Sequence, residues 1–150
     1  MSIIFKENTA NAEQFFAILP PDWQEGIVPF WENYKNTTKI FVLEENNHII
    51  GGGMVFSTLS PDLKGAPEIA EKYYQKGLLY LAFIWIKETH RGKGLGSFWL
   101  KQLKQQSPRQ GYWLTIEDLN LSRFYTTLGF KLGDRYLNNE NEEWVIELSY

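Results

Sequence analysis

The run Leu79-Tyr80-Leu81-Ala82-Phe83-Ile84-Trp85-Ile86 is apolar and dense in β-branched and aromatic residues, the composition of a buried strand. It breaks at a short charged turn and passes through three glycines at alternate positions, Gly92, Gly94 and Gly96. Leu95, Phe98, Trp99 and Leu103 then follow at the spacing of one helix face. A strand, a glycine turn and a helix in this order aim a helix N-terminus at an anion. Glycine lets bare backbone N–H groups approach a ligand, and the positive end of the helix dipole favours its charge. The plainer reading is a structural strand-to-helix turn. Three glycines beside Arg91 and Lys93 are costly in a mere turn, so a phosphate site is the expectation.

Spacing selects among phosphate sites. The P-loop pattern G-x-x-x-x-G-K-[ST] does not fit, because Lys93 precedes the last glycines. The dinucleotide pattern G-x-G-x-x-G fails too, since its third glycine falls on Ser97 or Trp99. Arg91-Gly92-Lys93-Gly94-Leu95-Gly96 does fit Arg-x-x-Gly-x-Gly, which after the strand Ile84-Trp85-Ile86 resembles the acyl-CoA-binding motif of the GNAT superfamily of N-acetyltransferases. The segment Phe124-Tyr125-Thr126-Thr127-Leu128-Gly129-Phe130 is similar to that family's second signature, F-Y-x-x-x-G-F.

The rest of the chain reads as one domain over residues 1–150, with no repeats and no linker. Ile3 to Lys6 is a short strand; a helix follows from Asn8 or Thr9 to Pro20-Pro21, and a second carries Trp23, Ile27, Phe30, Trp31 and Tyr34, kinked at Pro29. This aromatic helix is core or one wall of an acceptor pocket. Lys39 to Glu45 and His48 to Thr58 form a hairpin, which makes His48 a turn residue, and Gly51-Gly52-Gly53 is a bulge or a place where another backbone packs close. Ser60 to Lys76 is an insertion with a short helix from Glu68 to Gln75, expected to border the acceptor site. Tyr112 to Glu117 is a strand parallel to the one ending at Ile86, because a helix crosses over between them. A last helix from Asn120 to Leu128 ends at Gly129, and Phe130 to Tyr136 with Glu143 to Ser149 close the sheet as a hairpin.

The resemblance implies an α/β fold: a mixed, mostly antiparallel sheet of about seven strands, a splayed parallel pair at its centre, and about four flanking helices. It implies acetyl-CoA as co-substrate. Ile84, Trp85 and Ile86 would line its pantetheine arm, and Arg91, Gly92, Lys93, Gly94, Leu95, Gly96 and Ser97 would wrap its pyrophosphate. An amine attacks the thioester directly, since the chain has no cysteine for a relay. Tyr125 stands at the family's general-acid position, although an aromatic is also expected there on the helix's apolar stripe. The base is open between Glu117, Glu88 and Asp118, each of which also reads as a solvated loop carboxylate. The strand glutamate of some members is replaced by Thr115, and Asp118 or Asn120 takes the place of the family asparagine.

Composition narrows the partners. Fifteen Lys and Arg against 18 Asp and Glu leave a net charge of −3, which implies no nucleic-acid surface. Two distant histidines and no cysteine argue against a metal site. With neither a leader nor an apolar membrane span in view, a soluble cytoplasmic protein is expected, a monomer or homodimer. The acceptor is an amine on a small molecule or peptide. At pH 7 a lysine-like amine, with a pKa of about 10.4, is rarely neutral, while an α-amine near about 7.8 often is, so a site without an embedded base leans towards the latter. Two other readings remain: a non-catalytic acyl-CoA-binding module, and an ATP- or NAD-binding protein using the glycine loop.

Overall fold

The computed structural model describes Ser2 to Tyr150. Its seven strands are β1 (Ile3–Glu7), β2 (Thr38–Glu45), β3 (His48–Phe56), β4 (Leu79–Ile86), β5 (Tyr112–Ile116), β6 (Lys131–Asn138) and β7 (Asn141–Leu148). They form one mixed sheet in the order β1-β2-β3-β4-β5-β7-β6. β4 and β5 are parallel, in register at Leu79↔Tyr112 and Tyr80↔Trp113, as the crossover argument requires. The six helices are α1 (Ala12–Phe16), α2 (Pro21–Ile27), α3 (Trp31–Tyr34), α4 (Pro67–Gln75), α5 (Leu95–Gln106) and α6 (Ser122–Thr126). The expected seven-stranded mixed sheet with its parallel pair is therefore present.

Proline divides the first helical region more finely than its apolar spacing suggests. A 3-10 turn over Thr9–Asn11 precedes α1, Pro21 opens α2 at its first position, and a 3-10 turn at Val28–Phe30 separates α2 from α3. Proline suits a first helical turn, where its missing N–H costs nothing, but it interrupts the ladder further in. The two hairpin turns are set by residues with positive φ: Asn46 and Asn47 at 50° and 65°, Asn139 and Glu140 at 50° and 73°. The last helix begins later than expected, because Leu119–Leu121 forms a 3-10 turn ahead of α6.

Two compact units divide the chain, which passes from one to the other within β3 and β4 and again after Pro108. The first unit holds residues up to Val55 together with Ala82–Pro108. Its core gathers Phe15, Ile27, Ile40, Leu43, Met54 and Trp99, all fully buried. The Trp99 indole N–H donates to the Phe41 carbonyl at 3.0 Å, so this buried donor is satisfied. Close packing explains the glycine triplet of β3: a Cβ on Gly52 would meet the Phe41 carbonyl oxygen at 2.5 Å, and one on Gly53 the Trp99 ring at 2.7 Å.

The second unit holds Phe56–Leu81 and Arg109–Tyr150. Trp113 is its centre, fully buried, with the Tyr73 and Tyr80 rings 5.1 and 4.5 Å away and Tyr74 edge-on at 5.8 Å. Offset aromatic contacts of this kind add about 0.5–1.5 kcal/mol each beyond the area they bury. Tyr73 and Tyr74 belong to α4, so the inserted segment is part of this core and not an appendage.

Candidate functional site

The glycine loop behaves as its sequence demands. Gly92 and Gly94 adopt φ of 78° and 75°, a region in which a side chain is strained, and a Cβ on either would meet nothing within 4 Å. The space beside both glycines is therefore open. Gly94 is the N-cap of α5, and no side chain caps that end. The first intrahelical bond runs from the Phe98 N–H to the Gly94 carbonyl at 3.0 Å. The N–H groups of Leu95, Gly96 and Ser97 thus lie in the turn that has no intrahelical acceptor. Gly96 has no positive φ among the described glycines; it belongs to the helix's first turn, where its missing side chain keeps the surface low.

Arg91 is held at the loop's start. Its Nε donates to the Ile86 carbonyl at 3.0 Å, and its guanidinium lies 4.3 Å from the Trp85 ring centroid. Lys93 is exposed. A cation over an indole face is stabilised by about 0.5–1 kcal/mol at an exposed site. Two cations and a bare helix N-terminus then converge on one short segment. The arrangement is suited to an anion: a charge placed within such a turn gains about 0.3–1 kcal/mol, more when partly buried.

Just before the loop, β4 is irregular. Phe83 has φ of 55°, a conformation a bulky residue adopts only when its surroundings enforce it. The Phe83 and Trp85 rings both meet Trp23 of α2 in edge contacts at 6.1 and 5.2 Å, and this aromatic set holds the strand in place. Ile84, Trp85 and Ile86 are all partly exposed. The unusual dihedral gave no sign in the sequence, because a run of apolar residues looks the same with or without a bulge.

The other candidates are divided between the two units. Glu88 opens a 3-10 turn before the loop, is exposed, and accepts the Arg91 N–H on its carbonyl at 3.3 Å. In the second unit, Glu117 follows β5 and is exposed, while the Asp118 side chain is occupied as a cap, accepting the Asn120 N–H at 3.0 Å. Asn120 is exposed. Tyr125 sits on α6, half-buried, with the Phe124 and Phe130 rings 5.0 and 5.8 Å away. Its hydroxyl has no hydrogen-bond partner among the described residues, and desolvation raises its pKa. Gly129 ends this segment with φ of 95°. Among the described residues no cluster of metal-ligating side chains occurs, and no helix is long and apolar enough to cross a membrane.

The second unit also contains a group that local sequence patterns do not single out. Asp62, Tyr80, Tyr136, Asn138 and Glu143 interact around Thr115, brought together from five elements of the chain. Only Asp62 carried a signal, as part of the inserted segment.

A model of the acetyltransferase (GNAT) family matches residues 8–130. The chain belongs to the GNAT family. Among solved structures, an aminoglycoside 6'-acetyltransferase type Ii is similar at 14% identity and a TM-score of 0.69, over 97% of this chain and 96% of that one. A GNAT family acetyltransferase from Elizabethkingia anophelis with acetyl-CoA bound is 13% identical at a TM-score of 0.66, covering 99% and 98% of the two chains. Arabidopsis thaliana Naa50 in complex with the bisubstrate analogue CoA-Ac-MVNAL is 17% identical at a TM-score of 0.65, covering 100% of both. At such identities these likenesses speak for the fold. No curated protein matches the sequence at a significant level.

Proposed function

We propose that this GNAT protein transfers an acetyl group from acetyl-CoA to a primary amine by direct attack. The observation that carries the reading is the uncapped N-terminus of α5, entered through Gly92 and Gly94 with positive φ and flanked by Arg91 and Lys93. Residues Arg91 to Ser97 fit a diphosphate. They offer backbone N–H donors, two cations and open space where side chains would otherwise stand. Main-chain groups of Ile84 and Ile86 would pair with the amides of the pantetheine arm, and the positive φ of Phe83 supports a local departure from regular strand pairing.

Acetyl-CoA supplies an activated acyl group, a thioester whose sulfur leaves as a thiolate. Tyr125 is suited to hold the proton that a thiolate needs. Its hydroxyl is free of other partners and its desolvated environment favours the neutral, proton-bearing form at pH 7. A backbone N–H of β4 aimed at the acyl oxygen would stabilise charge developing there. Glu117 and Glu88 remain candidate proton acceptors, with a water relay as the simplest route from an exposed carboxylate. The test is thiol release from acetyl-CoA against a panel of amines, peptides and aminoglycosides. Turnover of at least one amine, abolished in Tyr125→Phe without loss of acetyl-CoA affinity, supports the reading. Acetyl-CoA binding with no turnover would reduce the protein to an acyl-CoA-binding module, and stabilisation by ATP or NAD alone would overturn it.

A further inference from the structure

The two left-handed glycines that open the loop before α5 also make it soft, since glycine loses more conformational freedom on ordering than any other residue. A loop that presents peptide N–H groups to an anion therefore needs fixing from outside. In the first unit the β2–β3 hairpin supplies it. Gly51 lets β3 lie close against the end of β4: a Cβ there would meet the Ile86 side chain at 2.6 Å and the Trp85 carbonyl oxygen at 3.0 Å. One residue past β4, the Lys87 N–H donates to the Ile50 carbonyl at 2.8 Å. The chain then makes a 3-10 turn over Glu88–His90, with the His90 N–H on the Lys87 carbonyl at 2.8 Å. That turn ends at His90, the residue next to Arg91.

His90 reaches back to the hairpin. Its Nε2 stands 3.1 Å from Oε1 of Glu45, the last residue of β2, and its Nδ1 lies 2.8 Å from the Thr89 hydroxyl. A carboxylate can only accept, so Nε2 carries the proton, and in the neutral ring Nδ1 accepts from Thr89. Protonation of the ring turns the Thr89 contact round and leaves the Glu45 contact in place, so the tether holds in either state. The side chains of His90 and Glu45 are 20% and 14% exposed, which shields this contact more than an ordinary surface pair. The backbone bonds of the 3-10 turn do not involve the ring, so its reach across 45 positions of sequence serves placement and not turn formation.

The geometry points to His90 and Glu45 as positioning residues for the diphosphate loop: the pair fixes the start of the loop against the hairpin before any ligand arrives. Their action runs through the backbone of Arg91 and Gly92 and requires no contact with the ligand. That the ligand is a diphosphate rests on the acyltransfer reading above; the tether does not. Two measurements on the intact protein test it. NMR order parameters of the Gly92 and Gly94 amides, taken without ligand, should sit at about 0.85 in the native chain and fall below about 0.6 in His90→Ala. Acetyl-CoA should bind that variant about fivefold to tenfold more weakly by calorimetry, while S-acetylpantetheine, which lacks the diphosphate, binds as before in an NMR titration. His90→Gln, whose Nε2 matches the donating nitrogen, should restore both readouts, and His90→Asn, which matches only Nδ1, should not. Flexible amides in the native chain, native order in His90→Ala, or an equal loss of both ligands overturns the positioning role even where acetyl-CoA is bound. A native chain that binds no acetyl-CoA strikes the acyltransfer reading instead, and the order parameters then decide the tether by themselves. Glu45→Ala removes the same contact from its other side, gives the same result if His90→Ala fails to fold, and adds nothing to His90→Ala in the double variant.

Discussion

The loop at the start of α5 and the hydrogen-bonded group around Asp62 and Glu143 treat charge in opposite ways. The first meets an anion with main chain. Its donors are peptide N–H groups of consecutive residues, exposed because Gly92 and Gly94 turn the backbone and no side chain caps the helix. The second surrounds two carboxylates with side chains drawn from the inserted segment, β4, β5, β6 and β7. A backbone site is compact in sequence and tolerant of what its neighbours are. A side-chain site depends on the whole fold being correct before any two of its members meet.

The largest expected effect separates chemistry from binding. Tyr125→Phe should lower kcat by about 10²-fold or more, in the range set by removal of a positioned general acid. Its acetyl-CoA affinity and Tm should match the native chain; a fall in both would reveal a packing role and not a catalytic one. Next in size is the loop itself. Gly92→Ala combined with Gly94→Ala meets no steric obstacle, so its cost is conformational, about 1–2 kcal/mol per left-handed residue. Weakening of acetyl-CoA binding by about tenfold would sharpen the contrast, and unchanged binding would break it.

Smaller effects come from pH. Glu143 has a raised pKa in the fold, chiefly through burial, so the folded chain holds that proton more tightly than the unfolded chain does. Its contribution is most favourable below the unfolded value and diminishes as pH rises through the folded one. Thermal melts of Glu143→Gln should accordingly show a modest gain in Tm at pH 7.5 that shrinks towards pH 4. Asp134 has the reverse sign. Hydrogen bonds from Lys72 and Tyr73, at 2.5 and 2.8 Å, lower its pKa, so its stabilisation is present above the unfolded value and fades as acid titrates it. Because this carboxylate is partly exposed, Asp134→Asn should cost about 0.5–1 kcal/mol at neutral pH, and the difference should disappear in strong acid.

The same contrast explains what could be read in the sequence. Arg91 to Gly96 announces itself because the residues that bind are neighbours, and glycine spacing encodes backbone shape directly. The sheet was legible for a related reason: alternating and helical spacings, hairpin turns such as Asn46-Asn47, and the crossover between β4 and β5 are all local or topological signals. Tyr125 was given the role of general acid by its motif alone, since its helical spacing marks it only as core. Glu143 and Asn138 were silent. Read in order, Asn138 belongs to an ordinary polar turn and Glu143 to the strand after it, and only the pairing of β6 with β7, in register at Asn138↔Asn141 and Tyr136↔Glu143, brings them beside one another. The strain at Phe83 was silent too, because nothing in an apolar run distinguishes a residue whose backbone reverses its usual sign.

Arg91 illustrates how much of recognition is completed at folding. A free arginine side chain explores many rotamers, and freezing it costs up to about 2 kcal/mol. Here the Trp85 face and the Ile86 carbonyl have already arrested it, and the charge waits in one orientation. An arriving anion therefore finds a cation that has little freedom left to surrender. Lysine at this position would keep the charge, yet it would remain mobile until the moment of capture, and the loop would lose its readiness along with its planar grip.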